Sequence, residues 1–404
     1  MFNIAKLPFL CLTLALTACS TEENTPTTAT VPASAPESSA STAAVATPEL
    51  GDFGIDLSYR DFSIKPGDDF FHYANGIWLD TYELPADRSR HGSFNVLVDR
   101  SDERVRTVID DLTDMEPPQG SIEQKISDYY LSFMNTEVLD ARGITPLRPG
   151  LTRLSDIDTL DELVTAFGRS RIDTTISPFN FGIGPDRSNP DANQLSIAVG
   201  GIGLPDRDYY LLDTEQFANV RREYVAHIAR LLAFAGLEDT SAKAEAILAL
   251  ETKIAEQLWP RADRRNRDLT YNPMEYADFV TAYPGFDWNL YFSAAGIEQL
   301  DDLNVTYPSA MSPIIELVSS VPVDDWKSYL AYHLISNNAS ILSEEIDQEN
   351  FHFYSTVLNG VPEQRERWER AVQRVGALES LGEAIGQVYV ERHFPQSAKQ
   401  MKEE

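Results

Sequence analysis

Peptide, phosphate or acyl chemistry needs histidine, carboxylate, serine or cysteine at workable spacing, so those positions are read first. The histidines are His72, His91, His227, His333, His352 and His393, and no two lie within five residues of each other. H-E-x-x-H, which sets two imidazoles on one helical face with a glutamate as base, is therefore absent. So is G-x-S-x-G, the strained turn that presents a nucleophilic serine. The two cysteines, Cys11 and Cys19, both sit near the N-terminus, which leaves the body without a thiol nucleophile or a cysteine-based metal site. Asp68-Asp69 and Glu344-Glu345 read as helix caps or solvated faces. Gly200, Gly201 and Gly203 run into "LPDRDYY" and not into a Lys-Ser/Thr helix start, so they are no phosphate loop. His227 sits beside an apolar helical face and reads as a core or surface histidine. His393 with Glu391 lacks a second histidine at helical spacing. Spacing alone yields no catalytic set and no metal set in this chain.

The elements that could position chemistry begin after a processed leader. Lys6 precedes a short apolar run, "LPFLCLTLALTA", too short to remain as a membrane span. Leu16-Thr17-Ala18-Cys19 matches the lipobox of bacterial lipoproteins. Residues 1–18 are read as a signal peptide and Cys19 as the lipidation site, its thiol taking up a diacylglyceryl group. Ser20 follows the cysteine where an Asp would retain a lipoprotein at the inner membrane. The expected location is a bacterial cell envelope, at the outer membrane facing the periplasm, with the lipid anchor in the bilayer. Residues 19–49 are Thr, Ala, Ser and Pro with few large apolar side chains, and are read as a disordered tether. The folded body is expected over 50–404.

Lys and Arg number 33 against 63 Asp and Glu, a formal charge of −30. That balance excludes nucleic acid as a partner and disfavours docking on anionic lipid. It reads as an acidic solvated surface.

Within the body, helical periodicity dominates. "EQFANVRREYVAHIARLLAFAGL" places Phe217, Val220, Tyr224, Ile228, Leu231 and Leu232 on one face, with Gly236 as stop. "TSAKAEAILALETKIAEQLWP" gives the stripe Ile247, Leu250, Ile254 and Leu258, with a cap expected at Thr240 or Ser241 and an end at Pro260. "SIEQKISDYYLSFMN" aligns Ile122, Ile126, Tyr129 and Phe133. "SDIDTLDELVTAFGRS" offers aspartate caps and a glycine stop. "DDWKSYLAYHLISNNASIL" and "PEQRERWERAVQRVGALESLGEAIGQVYVERHF" are longer candidates, the second with Pro362 at a first helical position. A β-hairpin pairing Pro178–Ile183 with Gln194–Val199 is expected around the turn-rich "PDRSNPDAN".

Five stretches carry a family likeness: "KPGDDFFHYANGIWL", "LPADRSRHGSF", "GLPDRDYYL", "FHFYSTVLNGVPEQRERWERAV" and "LGEAIGQVYVERHFP". Together they resemble, in the same order, the N-terminal half of the neprilysin and endothelin-converting-enzyme family of zinc metallopeptidases. The likeness runs from about residue 54 to the end. It implies a mainly α fold: a multi-helical cap lobe with a small β-hairpin. It implies a segment 50–100 that crosses to the catalytic lobe, a cap over 101–383, and a return over 384–404. It implies, too, that the thermolysin-like catalytic lobe, with its zinc, is missing from this sequence. No cofactor is expected here, and zinc only in that half.

The resemblance also implies two substrate-binding residues. Arg90 matches an arginine that faces the cavity and pairs with the carboxylate at a peptide's C-terminus, a task suited to a guanidinium fork. Phe94 matches an aromatic lining the pocket beyond the scissile bond. A second family arginine falls on Val98, so the clamp departs from the pattern there. The alternatives are a surface or lobe-bridging arginine at 90 and core packing at 94. The function implied is the N-terminal domain of a membrane-anchored zinc metalloendopeptidase acting on oligopeptides, inactive alone. The alternatives are a non-catalytic peptide- or partner-binding lipoprotein and one half of a split peptidase, with its catalytic half encoded separately.

Overall fold

A computed structural model describes residues 56–394 and 396–403. The leader, Cys19 and the tether lie outside the described residues. The chain opens with α1 (Phe70–Thr81), α2 (Ser93–Asp114), α3 (Ile122–Met134), α4 (Thr136–Arg142), α5 (Arg148–Ser155) and α6 (Leu160–Gly168). The hairpin β1 (Phe179–Pro185) and β2 (Asn193–Val199) follows, then α7 (Asp208–Leu211), α8 (Glu215–Phe234), α9 (Thr240–Gln257) and α10 (Arg261–Arg264). Next come β3 (Pro273–Glu275), α11 (Tyr276–Ala282), α12 (Trp288–Ala294), β4 (Asp302–Val305) and α13 (Pro308–Ser320). The chain continues with α14 (Val323–Asn338), α15 (Glu344–Phe351), α16 (Arg367–Ala377), α17 (Glu379–His393) and α18 (Gln396–Glu403). A π-helical turn, His352–Val357, directly follows α15.

The described residues divide into two compact units after Tyr82. In the first, Asp69 caps α1 by accepting from the His72 N–H at 3.0 Å. Asp61 donates its N–H to the Tyr73 carbonyl at 2.9 Å. A Cβ on Gly76 would meet the Asp61 side chain at 2.7 Å, so the glycine in "HYANGIW" allows that close approach.

In the second unit the expected hairpin forms, two residues longer at the Pro185 end, with Phe179 opposite Val199 and Ile183 opposite Leu195. It does not stand alone. β4 pairs parallel with β2, and β3 antiparallel with β4, giving the order β1-β2-β4-β3. β3 and β4 are three and four residues long, too short for an alternating pattern to show.

Other boundaries moved for local reasons. α9 starts after Asp239, a left-handed residue (φ 52°) that makes no side-chain cap. α6 is capped by Thr159, whose hydroxyl and Glu162 form a reciprocal capping box, and not by an aspartate. The long C-terminal candidate breaks into α16 and α17 at extended Leu378, and Pro362 lies in the loop ahead of them. On α3 Ile126 and Phe133 are buried as expected, and Tyr130 is buried where Tyr129 was expected.

Two buried clusters hold the larger unit. The main one gathers α8, α9, α13, α14 and the sheet. α14 is buried on almost every face, which marks a helix at the centre of a core. Phe167 packs edge-on to its Trp326 at 5.1 Å. Each such fully buried side chain contributes about 1.5–3 kcal/mol. The smaller cluster joins α2, α3, α16 and α17 through Ile109, Phe133, Val372 and Ile385.

Candidate functional site

Two of the family-like stretches meet in space. Glu363 donates its backbone N–H to the Ala86 carbonyl at 3.3 Å, laying "PEQRERW" beside "LPADRSR". At their junction opens a groove of about 500 Å³, whose lining includes Asp87, Arg88, Arg90, Asn95, Asp347, Arg365 and Arg370. Four arginines against two aspartates leave the lining at +2, in a chain of −30.

The arginines differ in what they touch. Arg88 is nearly buried and lies 2.8 Å from Asp99 and 3.1 Å from Asp87. Hydrogen bonds to these two acids hold its pKa above the ordinary value, and the same guanidinium lowers that of Asp87. Arg370 Nη1 lies 2.6 Å from Oδ2 of buried Asp347. Gln364 donates to the other oxygen of that carboxylate at 3.2 Å. Arg90 is exposed on the groove, and no hydrogen bond or ion pair engages its guanidinium among the described residues. Phe94, on the first turn of α2, is 85% exposed and stands outside the groove lining. The structure therefore brings Arg90 to the groove and leaves Phe94 beside it in sequence only.

The π-helical turn supplies Tyr354 and Ser355 to the groove wall. Such turns widen a helix locally and occur often at functional sites. Asn359 holds this one by donating to the Tyr354 carbonyl at 2.7 Å.

Behind the groove wall lies a buried hub that periodicity did not single out. Glu251 is fully buried on α9. Its carboxylate accepts from Tyr210 at 2.6 Å, from Tyr224 at 3.0 Å and from the Gly203 N–H at 3.2 Å. Oε1 lies 2.7 Å from His333 Nε2. Burial first, then the charge of Glu251, push the Tyr210 and Tyr224 hydroxyls well above their usual pKa. Tyr354 donates to the Gly203 carbonyl at 3.3 Å, so the hub reaches the groove wall. Position 251 falls on the α9 stripe, four residues after Ile247, and an acid at such a place was the signal available in the sequence.

Of its two readings, core or surface, His227 takes the core one in the structure. It stacks on Phe353 at 4.8 Å and pairs through Nδ1 with Glu349 at 2.9 Å. Burial pushes its pKa below the usual 6.5.

Among the described residues no group of three or more His, Cys, Asp or Glu could hold a metal ion. The donors among the described residues do not fit a zinc centre.

Fold and motifs together define the helix-rich N-terminal region of a zinc metallopeptidase. Residues 66–404 match peptidase family M13, and the chain belongs to that family. It is 24% identical to endothelin-converting enzyme 1 of Bos taurus over 367 residues, covering 86% of this chain and 47% of that protein. It is 25% identical to neprilysin-2 of Drosophila melanogaster, covering 83% of this chain and 46% of that one. The zinc metalloprotease Zmp1 of Mycobacterium tuberculosis, solved with an inhibitor, superposes with a TM-score of 0.80 at 35% identity, over 86% of this chain and 53% of that one. PepO from Lactobacillus rhamnosis shares the fold, with a TM-score of 0.70 at 20% identity. The chain spans about half the length of the relatives it matches.

Proposed function

We propose that this chain is the substrate-receiving domain of a membrane-anchored zinc metalloendopeptidase that acts on oligopeptides. The observation that carries this reading is Arg90: an unengaged guanidinium on a groove built from two of the family-like stretches. A guanidinium fork donates two parallel hydrogen bonds to a carboxylate, so Arg90 is assigned the C-terminal carboxylate of the peptide. Phe94, exposed on the neighbouring turn, is assigned an apolar contact with a peptide side chain.

Zinc and its catalytic base belong to residues other than those described here. The chain carries no H-E-x-x-H, and it is expected to bind peptides without cleaving them. Cys19 is assigned the lipid anchor, which would tether the domain at a bacterial outer membrane. Among the described residues no helix is long and apolar enough to cross a membrane.

Fluorescence anisotropy of an N-terminally labelled peptide tests the binding role. The purified chain should bind the free acid more tightly than the C-terminal amide, and Arg90→Ala should erase that difference. Equal binding of acid and amide by the unmodified chain overturns the role of Arg90. With added zinc and a fluorogenic peptide, chelator-sensitive turnover would overturn the expectation of inactivity. Metabolic labelling with an alkyne fatty acid, lost in Cys19→Ser, checks the anchor.

A further inference from the structure

The groove holds a second unengaged cation that the family likeness did not single out. Arg365 lines it and is half-buried, and no hydrogen bond or ion pair occupies its guanidinium among the described residues. Its carbonyl and the two residues before it, by contrast, are held by hydrogen bonds. The Glu363 N–H is bonded to Ala86 at 3.3 Å. Gln364 reaches Asp347 at 3.2 Å and accepts from Gln348 at 2.8 Å. The Arg365 carbonyl accepts from Arg370 Nε at 3.2 Å, and Arg370 is itself fixed on Asp347. The held backbone keeps the root of the Arg365 side chain at the groove.

Asp87 and Glu369 both feel the charge of Arg365, but neither forms an ion pair with it among the described residues. Asp87 is engaged by Arg88 through two of the guanidinium nitrogens. Glu369 is half-buried and makes no ion pair among the described residues. Burial is the main cause of its raised pKa, which the attraction of Arg365 does not cancel. The groove thus presents two guanidinium groups, Arg90 and Arg365, that have no hydrogen-bonded or ion-paired partner among the described residues. Two like charges on one groove favour a ligand that carries two negative charges. The groove volume, about 500 Å³, is that of a cleft for a few residues and not a long chain.

We propose that Arg365 makes the groove selective for peptides with a second carboxylate at the C-terminal residue: Asp or Glu as the last residue. Arg90 takes one carboxylate and Arg365 the other. This rests on the reading of the groove as a peptide site.

The test uses the purified full chain at 150 mM salt and two N-terminally labelled peptides that differ only in ending in Glu or in Gln. The unmodified chain should bind the Glu-ended peptide about tenfold more tightly, the scale of one charge-assisted hydrogen-bonding pair. Arg365→Gln should remove that preference, weakening the Glu-ended peptide about tenfold more than the Gln-ended one. Arg90→Ala should weaken both peptides. Arg365→Lys, which keeps the charge, should retain part of the preference. Urea midpoints matching the unmodified chain establish that the variants fold. Binding of both peptides with equal affinity overturns the role of Arg365 and leaves the peptide site standing. A loss in Arg365→Gln that is equal for both peptides also overturns it. If the unmodified chain binds neither peptide, the peptide reading itself fails, and this proposal with it.

Discussion

His333 Nε2 lies 2.7 Å from Glu251 Oε1, and both side chains are sealed from solvent although 82 residues separate them. The pair joins α14, the most enclosed helix, to α9. Through Tyr210 and Gly203 it also fixes the stretch "GLPDRDYYL", and through Tyr224 it holds α8. A carboxylate with this many donors stabilises only while all remain in place, because a buried donor without an acceptor bears its full desolvation penalty. Tyr210 is the cleanest probe. Its hydroxyl donates to Glu251 and accepts from the Leu204 N–H at 2.8 Å. Tyr210→Phe should therefore destabilise by about 1.5–3 kcal/mol. Urea denaturation of the two proteins measures this directly, and an unchanged midpoint would show that the hub contributes nothing to stability.

Gly203 tests the same stretch by volume. A Cβ there would meet the Tyr224 hydroxyl at 2.0 Å and His333 at 3.1 Å. Tyr224 cannot yield without leaving Glu251, so Gly203→Ala should cost about 1–3 kcal/mol. Thermal melts would check it. Gly236→Ala, with open space around the Cβ but a φ of 76°, serves as a comparison in which only backbone strain acts.

Much of this was legible in the sequence, and the remainder has identifiable reasons. α8 reads directly, because Val220, Tyr224, Ile228, Leu231 and Leu232 repeat at helical spacing and are all buried. α14 reads as a helix too, although its burial on nearly all sides weakens the periodic signal. β3 and β4 were missed, since three or four residues carry no pattern and only their partners make them strands. Arg90 could be named from the likeness of "LPADRSRHGSF" alone. Arg365 could not, because its significance comes from the Glu363–Ala86 contact, which brings together stretches more than 270 residues apart in sequence. Glu251 was visible only as an acid on an apolar stripe. Its partners, Tyr210 and His333, are set by tertiary packing.

The pair of His227 and Glu349 should make stability pH-dependent. Burial lowers the His227 pKa below 6.5, so the folded state prefers the neutral ring. Nδ1 then carries the proton, because the Glu349 carboxylate can only accept. Burial alone would raise the Glu349 pKa, but hydrogen bonds from His227 and Arg230 outweigh it and lower it below 4.5. A depressed pKa gives stability that is present above the unfolded value and lost as pH falls through the folded one. Stability should therefore decline as pH drops below about 6.5, and further below about 4.5. His227→Phe keeps the stack on Phe353 and removes the first decline. Urea midpoints between pH 7.5 and 5.5 should be flatter in this variant, and an unaltered slope would assign the decline to other groups.

Glu369 works with the opposite sign. Its pKa is raised, chiefly by burial, with the charge of Asp87 adding to the effect and Arg365 and Arg88 opposing it. A carboxyl with a raised folded pKa stabilises below its unfolded value of about 4.5, and that contribution is lost as pH climbs through the folded value. At neutral pH the ionised group is thus a burden on the fold. Glu369→Gln keeps the shape and removes the charge, so its urea midpoint should exceed that of the unmodified chain at pH 7.5. At pH 4 the two should coincide, because the glutamate is then largely protonated. A gain of equal size at both pH values would mean that the amide makes a new contact, and that relief of buried charge is not the cause.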